Sequence, residues 1–189
     1  MALGTAPQRL VDLLRNEWQP TRTGRGDIPD VVRDSGGNPS SDPTDGTGVL
    51  VLRDRENVRF DTARHDLIHV YHPEGNTPEI NDRGYDEQRI VETVQIDISI
   101  TDRTDHTTDP ATRLVARDRM VGDRDDLAST TDPPYPGISG EVQYILETVR
   151  RGLDEWDRVN YSPIDYNLGN SNADVAWNVD LIQLAANTV

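Results

Sequence analysis

Residues 89–101 read RIVETVQIDISIT, and this stretch decides the fold. Its apolar positions Val94, Ile96, Ile98 and Ile100 alternate with polar ones. Alternation with a period of two predicts a β-strand that buries one face and leaves the other in contact with water. The chain is therefore expected to build its core on one side of a sheet.

Shorter apolar runs and two amphipathic segments surround this strand. Further strands are predicted at residues 48–53, 57–61, 67–71, 159–164 and 176–184. Residues 6–18 form a predicted helix, in which Thr5 and Gln8 have the spacing of a capping box and Pro7 stands in the first turn. A second helix is predicted over residues 139–156, where apolar side chains form a continuous stripe.

This order of elements predicts an α+β fold with a mostly antiparallel sheet and two helices packed on one face. We expect one domain over residues 1–189, with long polar loops at 19–47, 73–87 and 102–137. Loops of this length are uncommon inside a compact domain, and they are usually functional or disordered.

The chain is strongly acidic and contains no Lys. It has 25 Asp and 9 Glu against 19 Arg, which gives a net charge of −15 over 189 residues. We interpret this surface as adaptation to molar salt, where a Debye length of roughly 3 Å screens the self-repulsion. The alternative is compositional drift in a GC-rich genome. In a salt-adapted protein the acidity reflects the medium rather than a binding partner.

The composition also excludes several kinds of chemistry. The absence of Cys excludes disulfides, thiolate metal sites and Cys nucleophiles, and the absence of Lys excludes Schiff-base and P-loop chemistry. The acidity argues against affinity for nucleic acid through phosphate contacts. No apolar run approaches the roughly 18 residues of a membrane helix, and the first residues lack a signal-peptide pattern. We expect no cofactor and no membrane partner.

Three histidines lie close together in HDLIHVYH, at His65, His69 and His72. On one face of a helix they could bind zinc. The surrounding residues favour a strand instead, in which His65 and His69 point one way and His72 the other. We therefore predict no metal site here and no catalytic residue in the chain.

Five other side chains stand out. Asp97 and Asp180 each lie in the middle of an apolar strand. Together they could share a proton or hold a divalent cation. They could instead lie on the polar face of a half-wetted sheet, and that face could line a channel. Trp18, Trp156 and Trp177 are either core residues or anchors at a subunit interface, where Trp is enriched.

Four segments of the C-terminal half carry a resemblance to a known family. They are RIVETVQIDISI at 89–100, EVQYILETVRRGLDEW at 141–156, VNYSPID at 159–165 and AWNVDLIQL at 176–184. With the helix at 6–18, they resemble the tail terminator (tail completion) proteins of long-tailed viruses. Residues 19–47 and 102–137 are longer than in that family. Asp174 and Asn178 flank Trp177 where an Arg is common in the family.

The resemblance implies a structural virion protein without catalytic activity. Such a protein forms a hexameric ring at the head-proximal end of the tail tube, ends tube polymerisation and joins the tail to the head–tail connector. Viral DNA passes through the lumen without specific binding. Asp97 and Asp180 would line that lumen, and the long loops would contact tube or connector protein.

Combined with the composition, the expected source is a virus of salt-loving archaea, and the expected location is the virion. A rival is another neck or head-completion protein, which would bind the portal. A second rival is a small cytoplasmic binding domain of a halophile, as a monomer or dimer. A third is a metal-dependent enzyme that uses the three histidines.

Overall fold

The computed structural model describes residues 5–21, 28–53, 64–73, 79–82, 87–101, 116–122, 137–149, 153, 156–169 and 172–186. In chain order its elements are α1 (Ala6–Glu17), β1 (Gly48–Arg53), β2 (His65–Tyr71), β3 (Glu79–Asp82), β4 (Glu87–Thr101), α2 (Ala116–Val121), α3 (Gly137–Tyr144) with a π-helical continuation (Ile145–Val149), β5 (Arg158–Leu168) and β6 (Asn172–Ala186). They form an α+β fold with a mostly antiparallel sheet, as the sequence predicts.

Two long strands form the centre of the sheet. β4 and β6 pair antiparallel over 15 residues each, from Glu87 opposite Ala186 to Thr101 opposite Asn172. Strands in globular proteins usually have about 3–10 residues, so this pair is unusually long. The sheet order is β1-β2-β4-β6-β5, and β3 pairs with the first part of β4.

One pair of strands departs from the antiparallel pattern. β1 and β2 run parallel, with Gly48 opposite His65 and Arg53 opposite Val70. A parallel pair cannot be joined by a tight hairpin and needs a crossover connection. The chain between Arg53 and His65 is too long for a two-residue hairpin, in keeping with this arrangement.

The main core lies between the helices and one face of the sheet. The alternation predicted for β4 is confirmed, because Val94, Ile96, Ile98 and Ile100 are all buried. They share one apolar cluster with side chains of the helices, among them Leu10, Leu14, Met120, Ile138, Val142 and Ile145. Burying side chains of this size stabilises a fold by about 1.5–3 kcal/mol each.

A buried ion pair attaches α2 to the sheet. The Nη2 atom of Arg119 lies 3.0 Å from Oδ1 of Asp66 on β2, and it also donates to the Thr101 carbonyl at 2.7 Å. Asp66 is fully buried and Arg119 nearly so. The contact therefore ties a short helix to the ends of β2 and β4.

The β1 edge of the sheet is covered by the chain itself. Val31 forms a parallel bridge with Val49, and the Val49 carbonyl accepts a hydrogen bond from the backbone of Val32. One pleat further along, the Arg15 guanidinium of α1 donates to the Val51 carbonyl. A second, smaller cluster on the other face contains Val32, Leu50, Leu52 and Leu67. The backbone N–H and C=O of Val49 and the carbonyl of Val51 therefore have partners on the outer side of β1.

The three segments predicted as loops contain more structure than the sequence indicated. Residues 73–87 include β3, whose residues pair with Gln88–Val91 of β4. Residues 102–137 include α2 and the first residue of α3. Residues 19–47 supply the bridge to β1 described above. The strand predicted at 57–61 lies outside the described residues.

Both predicted helices need correction. α1 ends at Glu17, and the side chain of Thr5 makes no capping hydrogen bond. The second helix is α-helical only to Tyr144 and then widens into the π-helical turns. Leu153 and Trp156 are buried, as the apolar stripe predicted, but neither is helical, and the Trp156 N–H donates to the Leu153 carbonyl at 3.0 Å. Residues 150–152 and 154–155 of the predicted helix lie outside the described residues. The sequence thus predicted their burial correctly and their conformation wrongly.

Candidate functional site

The face of the sheet opposite the helices carries four aspartates. Asp97 lies on β4, Asp174 and Asp180 lie on β6, and Asp165 lies on β5. On β4 this face alternates with the buried positions, since Gln95, Asp97 and Ser99 separate the core isoleucines. We call the surface formed by these four aspartates and their polar neighbours the acidic face.

Asp97 is held by two side-chain hydrogen bonds. Tyr71 donates from its hydroxyl to Oδ2 at 2.7 Å, and Gln95 donates from Nε2 to Oδ1 at 2.7 Å. His69 lies opposite Asp97 in the register of β2 and β4. These contacts fix the carboxylate on a rigid strand, with both oxygens engaged.

The two aspartates of β6 receive hydroxyl donors from β4. Thr93 donates from Oγ1 to Asp180 at 2.8 Å, and Ser99 donates from Oγ to Asp174 at 2.7 Å. Thr93 and Ser99 lie directly opposite these aspartates in the register of the two strands. Cross-strand pairs of this kind hold the carboxylates in a row along the sheet.

A shallow groove of about 340 Å³ runs across the acidic face. It is lined by Gln95, Asp97, Ile98, Ser99, Asp165, Asp174, Val175 and Ala176. Three of the four aspartates therefore border the same depression, whereas Asp180 lies outside it. Residues 93–99, 160–167 and 172–180, which form this part of the sheet, contain no Arg.

Such a surface has a defined electrostatic effect. The carboxylates around the groove have no Arg between them and give a negative potential, which repels polyanions and attracts cations. Arg158, which shares this side of the sheet, lies at the start of β5, beyond Asn160. Within the described residues, no three His, Asp or Glu side chains are grouped closely enough to hold a metal ion. The described part of the acidic face is therefore a charged surface with its carboxylates spread along three strands.

The structure places Asp97 and Asp180 on the same face but in separate contacts. Both lie on the polar side of the half-wetted sheet, which is one of the interpretations that the sequence allowed. Each is held by its own neighbours, Asp97 by Tyr71 and Gln95, Asp180 by Thr93. The hypothesis of a carboxylate pair that shares a proton has no support in this geometry.

The three histidines of HDLIHVYH diverge, as a strand requires. The ring Nε2 of His65 lies 2.9 Å from the Gly46 carbonyl. His69 lies beside the acidic face, opposite Asp97. His72 points to the other face, where its Nε2 lies 3.1 Å from Oε1 of the buried Glu92. The histidines therefore do not converge on a common point.

The three tryptophans belong to the core of the chain. Trp18 is 3% exposed, Trp156 is 8% exposed and Trp177 is 2% exposed. The Nε1 atom of Trp18 donates to the Pro29 carbonyl at 3.0 Å, which satisfies its polar group inside the fold. This burial favours the interpretation of the three residues as core residues over that as interface anchors, because an anchor needs ring surface that a partner can cover.

Sequence reasoning missed two members of the acidic face. Asp174 could have been found, because it lies six positions before Asp180, an even offset, and so shares its side of β6. Asp165 could not, because β5 has a register shift between Pro163 and Asp165 that reverses the alternation. A bulge of this kind changes the face of every residue that follows it.

Comparison with other proteins gives no family for the chain. No family model matches it, and no curated protein is significantly similar to it. Among the described residues, no helix is long and apolar enough to cross a membrane.

Proposed function

We propose that the protein is a tail terminator of a long-tailed virus, a structural subunit that assembles into a hexameric ring at the head-proximal end of the tail tube. The ring ends tube polymerisation, contacts the tube protein on one side and the head–tail connector on the other, and lets the genome pass through its lumen. The subunit has no catalytic role and works in the virion. Its acidic, Lys-free composition fits a virus of salt-loving archaea.

The observation that carries this proposal is the acidic face. A lumen that passes DNA must not retain it, and carboxylates repel phosphate. Asp97, Asp174 and Asp180 are fixed by hydrogen bonds from neighbouring strands, so their charges are presented in a constant geometry. We assign this face to the lumen.

The dimensions of the sheet support the assignment. β4 and β6 have 15 residues each, and a strand rises about 3.4 Å per residue, so each spans about 50 Å. Among the described residues, the helices pack on the opposite face, and Ser99, Asp165 and Asp174 are exposed on the acidic face. Strands of this length can line the lumen of a ring over a distance of about 50 Å.

The segments that carry the resemblance also form the framework around this face. Residues 89–100 lie in β4, 159–165 in β5 and 176–184 in β6, and these three strands are neighbours in the sheet. The segment 141–149 supplies the second half of α3 and its π-helical continuation, which pack on the face of the sheet opposite the acidic face.

The first test is the mass and shape of the purified protein in roughly molar salt, where the Debye length is about 3 Å. Six chains of 21.1 kDa form a particle of about 127 kDa. Light scattering should give this mass, and negative-stain microscopy should show rings with an open lumen. Because some rings close only on their target, a monomer is next mixed with polymerising tube protein.

In that second assay the chain should bind the tube end and shorten the tubes. Binding to portal protein without binding to tube would favour a head-completion protein. A compact monomer or dimer that binds neither would contradict a virion role and favour the small binding domain of a halophile.

A further inference from the structure

The two edges of the sheet differ. The β1 edge is covered by residues 30–32 and by Arg15. At the other side β5 ends the strand order, and no described strand lies beyond it. An edge strand presents N–H and C=O groups that can pair with another chain. Tyr166 and Leu168, which are the exposed large apolar side chains of the described residues, both lie on β5.

We propose that β5 pairs with β5 of a second copy of this chain, antiparallel about a two-fold axis at Tyr161. The axis is perpendicular to the sheet. The sheets of the two copies therefore form one continuous sheet, with both acidic faces on the same side. The occupant is a second copy because the charges of this edge are complementary to themselves.

The register of β5 on β6 shows this complementarity. Arg158, Tyr161 and Asp165 lie opposite Ile182, Val179 and Ala176. Tyr161 is therefore three sheet positions from each of the two charges, since the bulge after Pro163 absorbs the extra residue. A two-fold axis at Tyr161 brings Arg158 of each copy opposite Asp165 of the other.

The remaining pairs in this register are compatible. Arg158 and Asp165 are both exposed and share the side of the acidic face. Asn160 falls opposite Ser162, so no like charges oppose each other, which would be destabilising. Pro163 falls opposite Val159, and a Pro is tolerated on an edge strand although it removes one hydrogen bond.

The charges select the register more than they supply affinity. Exposed ion pairs contribute little to stability, and salt screens them. The backbone pairing of two β5 edges holds the dimer, while opposite charges favour one alignment over its neighbours.

This contact goes beyond the proposed ring. A two-fold contact uses the same surface on both copies and closes after two, whereas a ring needs two different surfaces on each subunit. The pair of chains is therefore a form that the protein takes away from the tail. Tube binding and β5 pairing can be measured separately, and either can fail without the other.

Disulfide cross-linking tests the register directly, because the chain has no Cys. In the single variant Tyr161→Cys the two introduced residues lie opposite each other. Opposed Cα atoms in an antiparallel pair are about 4.5–5.5 Å apart, which suits a disulfide. Mild oxidation should convert most of this variant to covalent dimer.

The matched control is Asn167→Cys on the same strand. Asn167 lies opposite Asp174, five sheet positions from the axis. In the dimer, residue 167 of one copy lies ten sheet positions, or about 33 Å, from residue 167 of the other. Oxidation of this variant should therefore give no more covalent dimer than the background. Equal cross-linking of the two variants, or none in either, overturns the proposal.

Charge reversal gives a second test that does not touch Tyr161. Arg158→Asp and Asp165→Arg should each raise the dimer dissociation constant about tenfold, since each places like charges in opposition. The double variant should return to within about twofold of the wild type. If the dimer of the double variant dissociates as readily as the dimers of the single variants, the proposal is wrong. It is also wrong if the wild type keeps the mass of one chain, 21.1 kDa, up to about 1 mM.

Discussion

Arg119 on α2 and Asp66 on β2 form an ion pair of 3.0 Å inside the protein, although 53 residues separate them in the sequence. Removing one partner of a buried pair leaves an uncompensated charge and costs about 3–5 kcal/mol. We therefore expect Arg119→Ala to lower the free energy of unfolding by that amount, measured by chemical denaturation in molar salt.

Two further variants separate the ion pair from general effects. Arg117→Ala changes an exposed residue on the same helix and should alter stability by less than about 0.5 kcal/mol. The double variant Asp66→Leu with Arg119→Met removes both charges and should be more stable than Arg119→Ala alone. A double variant as unstable as the single one would argue that Asp66 is not the partner that matters.

Gly137, the first residue of α3, has a left-handed backbone with φ +70°. A Cβ atom there would lie 2.5 Å from the Met120 carbonyl oxygen and 2.6 Å from the Gly122 nitrogen. Gly137→Ala should therefore destabilise the fold by more than the 1–2 kcal/mol, roughly, that the left-handed conformation alone costs.

The matched control for this substitution is Gly37→Ala. Gly37 also has a positive φ of 81°, but a Cβ there meets nothing within 4 Å. It should show only the conformational cost of about 1–2 kcal/mol. Equal losses in the two variants, measured by thermal unfolding, would mean that α2 and α3 do not approach as closely as described.

Neutralising the acidic face should increase retention of DNA. In a triple variant with Asp97→Asn, Asp174→Asn and Asp180→Asn, the amide oxygens can still accept the hydroxyl hydrogen bonds, so the fold should persist. Removing the repulsion should raise the affinity for duplex DNA at low salt by about tenfold or more. A gel-shift or polarisation assay measures this change.

The control variant changes the net charge equally but elsewhere. Asp12→Asn, Asp42→Asn and Asp45→Asn alter three exposed residues outside the acidic face. If this variant retains DNA as strongly as the first one, total charge rather than the acidic face governs the repulsion.

The turn at residues 34–38 should depend on pH. Hydrogen bonds from the Asn38 backbone and side chain hold the pKa of Asp34 below its ordinary value of 3.8. A carboxyl whose pKa is lowered by folding contributes stability above the ordinary pKa, and this contribution is lost as pH falls through the lowered value. The carboxyl carbon of Asp34 should therefore titrate below pH 3.8 in an NMR experiment.

Amide exchange provides the readout of the turn itself. Protection of the Asn38 amide, which donates to Asp34 at 2.8 Å, should decrease at the same low pH. In Asp34→Asn the dependence should disappear. An Asp34 titration at or above the ordinary value would contradict the described hydrogen bonds.

The sequence correctly predicted those parts of the fold in which the local pattern of apolar residues agrees with their burial. The alternation in β4 predicted its buried face, and the residues of β1 were predicted without error. β3 was not predicted as a strand, because its four residues, EIND, include only one apolar side chain. Their extended conformation comes from pairing with β4. Pairing with a distant strand leaves no local signal.

The candidate site shows the same division. The alternation of side chains along β4 was enough to predict that Asp97 lies on the polar face. One of the contacts that hold it comes from Tyr71 on another strand, which local pattern does not predict. The sequence predicted a loop where α2 lies. One of the buried residues of α2 is Arg119, and a charged residue is expected to be exposed unless its partner is known.

The covered edge of β1 has a consequence for how large an assembly this sheet can build. A sheet with two open edges can add copies at both ends without limit, which is the geometry of fibrils. Here residues 30–32 and Arg15 cover part of the β1 edge, so in the described strand order β1-β2-β4-β6-β5 the open end is β5. Once two β5 edges pair, each copy turns its partly covered β1 edge outward, so growth through β5 ends after a single step.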